Sequence, residues 1–342
     1  MGTYPLTARS VQEAAGVIRR GGLVAFPTET VYGLGADATN PEAVAKIFDV
    51  KGRPQFDPLI VHVASIAQAR SLWANCPEVA ERLMRRFWPG PLTLVLPKRP
   101  VVPDLVTAGL PTVALRMPDP PAVRRLIEQA LCPIAAPSAN RFGRASATTA
   151  QAVEEELGSA VDLILDDGAT RIGVESTVLA FENDHPVLLR PGGIPLEALT
   201  EILGEVELWQ GRSSRPQSPG MLERHYAPRT PLYLLDETQD PRSLEGDWTA
   251  RGKVGLLSLA PVKRSGFAHV EILSPTGDLV EAASRFFQAL RRLDGAGLDA
   301  IVATPIPKRG LGLALVDRLT RASSGGASVV EGILRIMDRP GP

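Results

Sequence analysis

Residues 21–63 read GGLVAFPTETVYGLGADATNPEAVAKIFDVKGRPQFDPLIVHV, and this stretch decides the fold class. Leu23–Phe26 is a short apolar run closed by Pro27, the pattern of a buried strand. Asn40 and Pro41 place a capping side chain ahead of a proline at the first helical position, and Val44, Ile47 and Phe48 then supply one apolar face. Leu59–Val63 reads as a second buried strand. Strand, helix and strand in this order predict an α/β or α+β sheet with helices packed on it.

The alternation continues outward. Upstream, Ser10 and Glu13 have capping-box spacing, Ala14, Val17 and Ile18 form a helical stripe, and Gly21–Gly22 ends it. Downstream, the pattern predicts helices over 77–87, 121–130, 149–157 and 195–203. It predicts strands over 92–96, 113–116, 134–136, 163–165, 177–181 and 187–190. Residues 211–230 then lose any apolar period, carry four Arg against one Glu and are rich in turn formers, so they read as a linker. Beyond it, strands over 232–235, 254–259, 270–273 and 300–303 and helices over 279–293 and 313–322 outline a smaller βα domain. The expected organisation is a first domain over 1–207, a linker over 208–230 and a second domain over 231–342.

Composition removes several classes of function. The chain has 342 residues, 44% of them hydrophobic, enough to bury two cores. Its 37 Lys+Arg against 38 Asp+Glu leave a net charge of −1, which excludes a globally basic nucleic-acid coat. No stretch approaches 18 unbroken apolar residues, so no transmembrane helix is expected. Met-Gly-Thr-Tyr-Pro-Leu lacks the apolar core of a signal peptide and places Leu6 where a myristoylation signal wants Ser or Thr. Cys76 and Cys132 cannot form a disulfide framework or a zinc site alone, and are expected to be buried free thiols. A cytoplasmic location is the corresponding expectation.

The common chemical signatures are missing. The only Gly-Lys pair, Gly252–Lys253, is followed by Val254, so there is no P-loop. Gly33-Leu-Gly35 continues as Ala-Asp-Ala, which is no dinucleotide fingerprint, and the four histidines are never in metal-ligand spacing. Ser138 and Ser176 lack the hydrolase nucleophile elbow. What the sequence has instead is a set of small polar segments at strand or helix ends: 27–35, 51–54, 136–143, 173–177 and 189–193. Loops at strand ends in open α/β sheets converge on a ligand crevice. Lys51, Arg53 and Arg190 would bring positive charge for phosphates, and Ser138 and Asn140 neutral donors. Taken singly, each segment is equally a turn or a helix end, and His62 on its apolar strand equally a core histidine.

Their order is more specific. PTETVYGLG, KGRP, PLIVH, FWPGPLTLVL, VALRMP, PSANRFGRAS, GVESTVL and LLRPGG follow one another over about residues 10–205. This succession resembles the YrdC-like threonylcarbamoyl-adenylate synthase family. The linker motif SPGMLERHYAP and the later GLGLALVDRLTRA resemble the long, two-domain form of these enzymes. The resemblance implies a YrdC-like twisted open sheet domain with helices, followed by a smaller Rossmann-like α/β domain that binds no cofactor. It implies an enzyme that combines L-threonine, bicarbonate or CO2 and ATP into threonylcarbamoyl-AMP and pyrophosphate. A downstream complex then transfers the threonylcarbamoyl group to the adenosine beside the anticodon of tRNA.

The same resemblance implies roles for single residues. Lys51, Arg53, Ser138 and Asn140 fall on the family's catalytic signature. Arg53, Asp57, Thr112, Ser138, Ser146, Arg190 and Tyr226 would contact ATP, with Tyr226 folding back from the linker as part of a lid. Thr30, His62, Arg116, the Ala136 backbone and Ser176 would hold threonine, Arg116 as the bidentate partner of its carboxylate. Asp57 departs from the family pattern, which has a neutral or basic residue there. Mg2+ would arrive with ATP, without a dedicated protein metal site, and a weak direct contact with tRNA is part of the expectation. An RNA-binding module and a carbamoyl-adenylate-handling carbamoyltransferase are the alternative readings. The 5% aromatic content and the net charge of −1 disfavour the first of these.

Overall fold

The structure, a computed structural model, describes residues 2–182, 185–209, 221–238, 252–262, 266–330 and 333–339. The chain divides into two compact units, Met1–Phe142 with Ser146–Leu222, and Gly143–Ala145 with Glu223–Pro342. Part of the expected linker, residues 210–220, lies outside the described residues.

In chain order the first unit comprises β1 (Thr3–Pro5), α1 (Ala8–Arg19), β2 (Val24–Pro27), β3 (Tyr32–Asp37), α2 (Pro41–Lys51), β4 (Ile60–His62), α3 (Ile66–Leu72), α4 (Glu78–Phe87) and β5 (Leu92–Pro97). There follow α5 (Asp104–Thr107), β6 (Thr112–Arg116), α6 (Pro121–Ala130), β7 (Ile134–Ala135), α7 (Ala150–Leu157), β8 (Leu163–Asp166), β9 (Thr177–Glu182), β10 (His185–Arg190), α8 (Leu196–Leu203) and β11 (Glu207–Leu208). The strands form one open mixed sheet in the order β1-β8-β2-β3-β7-β4-β6-β5-β9-β10-β11.

Strand alternation divides the middle of this sheet into two faces. Val61, Leu92, Leu94, Leu96, Val113, Leu115, Leu179 and Leu188 face the larger core, together with α2, α4 and α5. Ile60, Val95, Ala114, Val178, Ala180, Val187 and Leu189 face the other way with Met221. His62 and Arg116 lie two residues beyond Ile60 and Ala114, so they continue that second face at the strand ends. A third cluster packs α1 and α6 over β2 and β8.

Two local predictions needed correction. The cap of helix α1 lies three residues before Ser10: Thr7 is the N-cap, and Ser10 occupies the N3 position of a reciprocal capping box. Residues 32–35, read as part of a polar segment, belong to strand β3, antiparallel to β2. Its glycines made it look like a loop, but they are required by packing. A Cβ on Gly35 would lie 2.5 Å from the Phe26 ring and 2.7 Å from Ile134. Of the two cysteines, Cys132 is buried as expected and Cys76 is half-buried, both as free thiols.

The second unit comprises β12 (Leu232–Leu235), β13 (Val254–Ser258), β14 (His269–Ile272), α9 (Leu279–Asp294), β15 (Ala300–Ala303), α10 (Gly312–Ala322), β16 (Gly325–Val330) and β17 (Ile333–Asp338). Its sheet runs β14-β13-β15-β12-β16-β17, parallel throughout except for the last pair. The buried phenylalanines Phe286 and Phe287 lie on α9. This is the smaller Rossmann-like α/β domain that the sequence predicts. No helix among the described residues is long and apolar enough to cross a membrane.

Candidate active site

Parallel pairing sets His62 of β4 opposite Arg116 of β6. Across from them, the turn between β2 and β3 brings Glu29 and Thr30. Thr28 shapes that turn: its Oγ1 donates to the Val31 carbonyl at 2.7 Å and accepts the N–H groups of Thr30 and Val31. The Thr28 and Thr30 hydroxyls are 2.8 Å apart. The N–H of Ile172 and of Gly173 donate to the carbonyls of Glu29 and Thr30, at 2.8 and 3.1 Å.

The turn delivers Glu29 onto Arg116. Arg116 Nη2 is 2.7 Å from Glu29 Oε1, with side chains only 4% and 2% exposed. Glu29 Oε2 accepts the N–H of Asp119 at 3.1 Å. His62 is buried too, its ring edge-on to Phe26 at 6.1 Å. Burial first, and then the positive charge of Arg116, push the His62 pKa down to about 3, so the ring is neutral at physiological pH.

A second centre is built on the end of α2. Gly52, in the left-handed conformation at φ 61°, ends that helix just past Lys51. Lys51 is buried, and its Nζ donates to the carbonyls of Ser138 and Asn140. Burial and the neighbouring Arg53 charge hold its pKa well below the usual lysine range. Arg53 donates from Nε to the Asp57 carbonyl at 3.1 Å and from Nη2 to the Pro58 carbonyl at 2.8 Å. Its Nη2 also lies 2.9 Å from Asp57 Oδ2. Burial raises the Asp57 pKa, and the charges of Arg53, Lys51 and Arg190 only partly offset this.

Arg190, at the end of β10, donates to the Ser176 carbonyl from Nε and Nη2 at 3.1 and 3.0 Å, and to the Ser176 hydroxyl at 3.1 Å. Ser176 Oγ is in turn 2.8 Å from Thr93 Oγ1. Thus Ser176, expected on the threonine side, and Arg190, expected on the nucleotide side, touch directly. Ser146 donates to Glu175. The Ala136 N–H donates to the Ile60 carbonyl at 2.9 Å, and Ser138 bridges to Gly33 of β3. Thr112 stands at the far end of β6 from Arg116, four residues and so about 13 Å away along the strand.

Tyr226 belongs to the second unit and is described within it. It has φ 65°, is buried, meets His225 edge-on at 4.1 Å and lies beneath the Arg318 guanidinium at 5.3 Å. Among the described residues, no group of three or more His, Cys, Asp or Glu could hold a metal ion.

Residues 16–192 match the sequence family described as "Telomere recombination", and residues 194–324 match "Threonylcarbamoyl-AMP synthase, C-terminal domain". The chain belongs to the threonylcarbamoyl-AMP synthase family. The threonylcarbamoyl-AMP synthase of Pyrococcus abyssi is 47% identical over 324 residues, covering 92% of this chain and 94% of that one. The enzyme of Bacillus subtilis is 44% identical over 330 residues, covering 92% and 93%. The crystal structure of P. abyssi Sua5 complexed with L-threonine superposes with a TM-score of 0.88 at 42% identity, covering 96% of this chain and 98% of the other.

Within this family member, Glu29, Thr93 and Glu175 are buried residues at the site that the sequence reading left unassigned. Glu29 was visible in the quoted PTET motif. A carboxylate between a buried strand and a glycine-bearing apolar segment needs a cationic partner, and Arg116 supplies it.

Proposed function

We propose that this chain makes threonylcarbamoyl-AMP and pyrophosphate from L-threonine, bicarbonate or CO2, and ATP. The observation that carries the reading is the pair of buried basic centres in the first unit. One is Arg116 beside the neutral His62; the other is Lys51, Arg53 and Arg190 around Asp57. Arg116 takes the threonine carboxylate through its planar fork. Thr30, His62, the Ala136 backbone and Ser176 surround the rest of the amino acid.

Threonine's amine and bicarbonate give a carbamate, whose oxygen attacks the α-phosphorus. Arg53 and Arg190 face the charge that grows on the α-phosphate and the leaving pyrophosphate. Lys51 holds Ser138 and Asn140 in place beside the nucleotide, and Ser146 and Thr112 complete its side of the site. A carbamate is already anionic, so positioning and exclusion of water suffice and no covalent enzyme intermediate is needed.

Mg2+ accompanies ATP as part of the substrate. Asp57, the carboxylate in the phosphate-side cluster, is committed to Arg53, which leaves it no free charge for a magnesium ion. The organisation into a catalytic domain over 1–207, a covering linker over 208–230 that presents Tyr226 to ATP, and a supporting domain over 231–342 is part of this reading, supported by the motif order alone. So are a cytoplasmic location, a weak direct contact with tRNA, and a downstream complex that passes the threonylcarbamoyl group to tRNA.

The test is pyrophosphate release from ATP by the purified full chain with Mg2+, omitting L-threonine and bicarbonate in turn, beside an Arg53→Ala variant. Release that needs both substrates and fails in the variant supports the reading. Release indifferent to both overturns it.

A further inference from the structure

We infer that Glu29 is a further catalytic residue. It receives the ammonium group of the amino-acid substrate and takes up the proton that the amine must lose to become a carbamate. The inference deepens the proposed function and rests on its placement of the substrate carboxylate at Arg116.

The motif reading leaves Glu29 without a role, yet the fold commits much to it. Its carboxylate is buried 2.7 Å from the equally buried Arg116 guanidinium, and one oxygen is pinned by the Asp119 N–H. The pair is charge-matched but not saturated. Glu29 Oε1 and Arg116 Nη2 meet as an ion pair outside hydrogen-bond geometry, and Arg116 Nε has no hydrogen-bond partner. Buried groups left in that state are costly to a fold unless a ligand completes them. The ligand that completes both ends at once is one carrying a carboxylate and an ammonium on the same carbon. Its carboxylate takes the guanidinium at Nε and Nη2 and its ammonium takes Glu29 Oε1, giving an alternating square of charges.

Three neighbouring groups do not offer an acceptor for the ammonium charge. His62 from β4 is neutral, and Arg116 from β6 repels a cation. Asp119, in the segment after β6, turns its carboxylate to Arg171 at 3.1 Å and offers Glu29 only its backbone N–H.

The same placement supplies the chemistry. An ammonium has no lone pair, so it must lose a proton before it can attack bicarbonate. The N–C bond forms, and the C–O bond to the departing hydroxide breaks. Of the two protons leaving nitrogen, one goes to the Glu29 carboxylate and one leaves with the hydroxide as water. Threonine ammonium and bicarbonate thus give carbamate, water and a protonated Glu29, which later returns its proton to solvent.

The experiment compares the full chain with Glu29→Gln, which keeps the shape and the acceptor for the Asp119 N–H. Binding of L-threonine and of 3-hydroxybutyrate, its analogue without the amine, is measured by calorimetry. Pyrophosphate release is followed from pH 7 to 9. We expect the unmodified chain to prefer threonine by at least about 30-fold and Glu29→Gln to prefer it by less than about threefold. The variant should release pyrophosphate about 100-fold more slowly at pH 7, within the range for loss of a general base. Its rate should recover as rising pH supplies free amine, while its affinity for a non-hydrolysable ATP analogue stays unchanged.

Variant turnover within about threefold of the unmodified chain overturns the inference, as does an equal loss of both ligands, which would make Glu29 only a prop for Arg116. If Glu29→Gln fails to fold, the unmodified chain decides alone: equal affinity for threonine and 3-hydroxybutyrate overturns the inference. A chain that neither binds threonine nor releases pyrophosphate overturns the functional reading itself.

Discussion

Arg53 Nη2 lies 2.9 Å from Asp57 Oδ2, four residues on, with side chains 3% and 0% exposed. Two further hydrogen bonds to the carbonyls of Asp57 and Pro58 fix the same guanidinium. The negative charge of Asp57 is therefore absorbed locally, because it is spent holding Arg53. Removing one member of a buried pair strands the other. Asp57→Ala is expected to lower stability by about 3–5 kcal/mol in urea unfolding. Asp57→Asn, which keeps the volume and an acceptor, should cost less. Equal losses for the two would show that packing, not charge, is what matters there.

Arg116 is expected to govern threonine and leave the nucleotide alone. Arg116→Lys keeps the charge but loses the planar fork. The kcat/KM for threonine in pyrophosphate release should fall by about 100-fold, the equivalent of about 2.7 kcal/mol. Affinity for a non-hydrolysable ATP analogue should stay within about twofold of the unmodified chain. A comparable loss of nucleotide affinity would contradict the division of the site into two centres.

Gly192 is a steric prediction. A Cβ there would lie 2.4 Å from the Glu175 carbonyl oxygen, the Ser176 carbonyl carbon and the Thr177 nitrogen, all of them backbone atoms that cannot swing aside. Gly192→Ala should therefore displace the segment that anchors Arg190, costing about 2 kcal/mol or more in thermal or urea unfolding and weakening ATP binding with it. Gly168→Ala is the control, since a Cβ at that position meets nothing within 4 Å and only the positive φ of 72° is strained.

His62 predicts a pH signature. Its pKa in the folded chain, about 3, lies below the ordinary value of 6.5, so folding favours the uncharged ring. That contribution to stability is complete above pH 6.5 and is lost as the pH falls toward 3, by up to about 1.4 kcal/mol per unit. Between pH 6.5 and 5, before most carboxylates titrate, the melting temperature should drop more steeply than that of a His62→Asn variant. Parallel curves would mean that the ring has the same pKa in the folded and unfolded chain.

What was legible in the sequence was whatever local chemistry decides. Asn40 caps α2 as its position before Pro41 demands, and α6 runs from Pro121 to Ala130 as its apolar spacing predicts. The strands bearing His62 and Arg116 were also readable, because buried apolar runs lead into both. Features decided by partners distant in sequence were hidden. The glycines of β3 signal a loop until Phe26 and Ile134 are placed against them. Thr7 outcompetes Ser10 as the cap of α1, although both are good capping residues. Strands β16 and β17 were missed in a Gly-rich stretch whose order depends on pairing with β12 and with each other. The roles of Glu29 and Asp57 depend on which arginine lies opposite, and spacing along the chain does not reveal that.

Lys51 links these levels. Its Nζ fastens the last turn of α2 to the carbonyls of Ser138 and Asn140, while Asn40 pins the first turn eleven residues earlier. The helix therefore acts as a strut, and a disturbance at its far end reaches the Ser138–Asn140 loop through a rigid member. In a genetic screen, partial-loss alleles should accordingly map along the whole of α2, at Asn40 and Val44 as well as Lys51, far beyond any atom that a substrate touches.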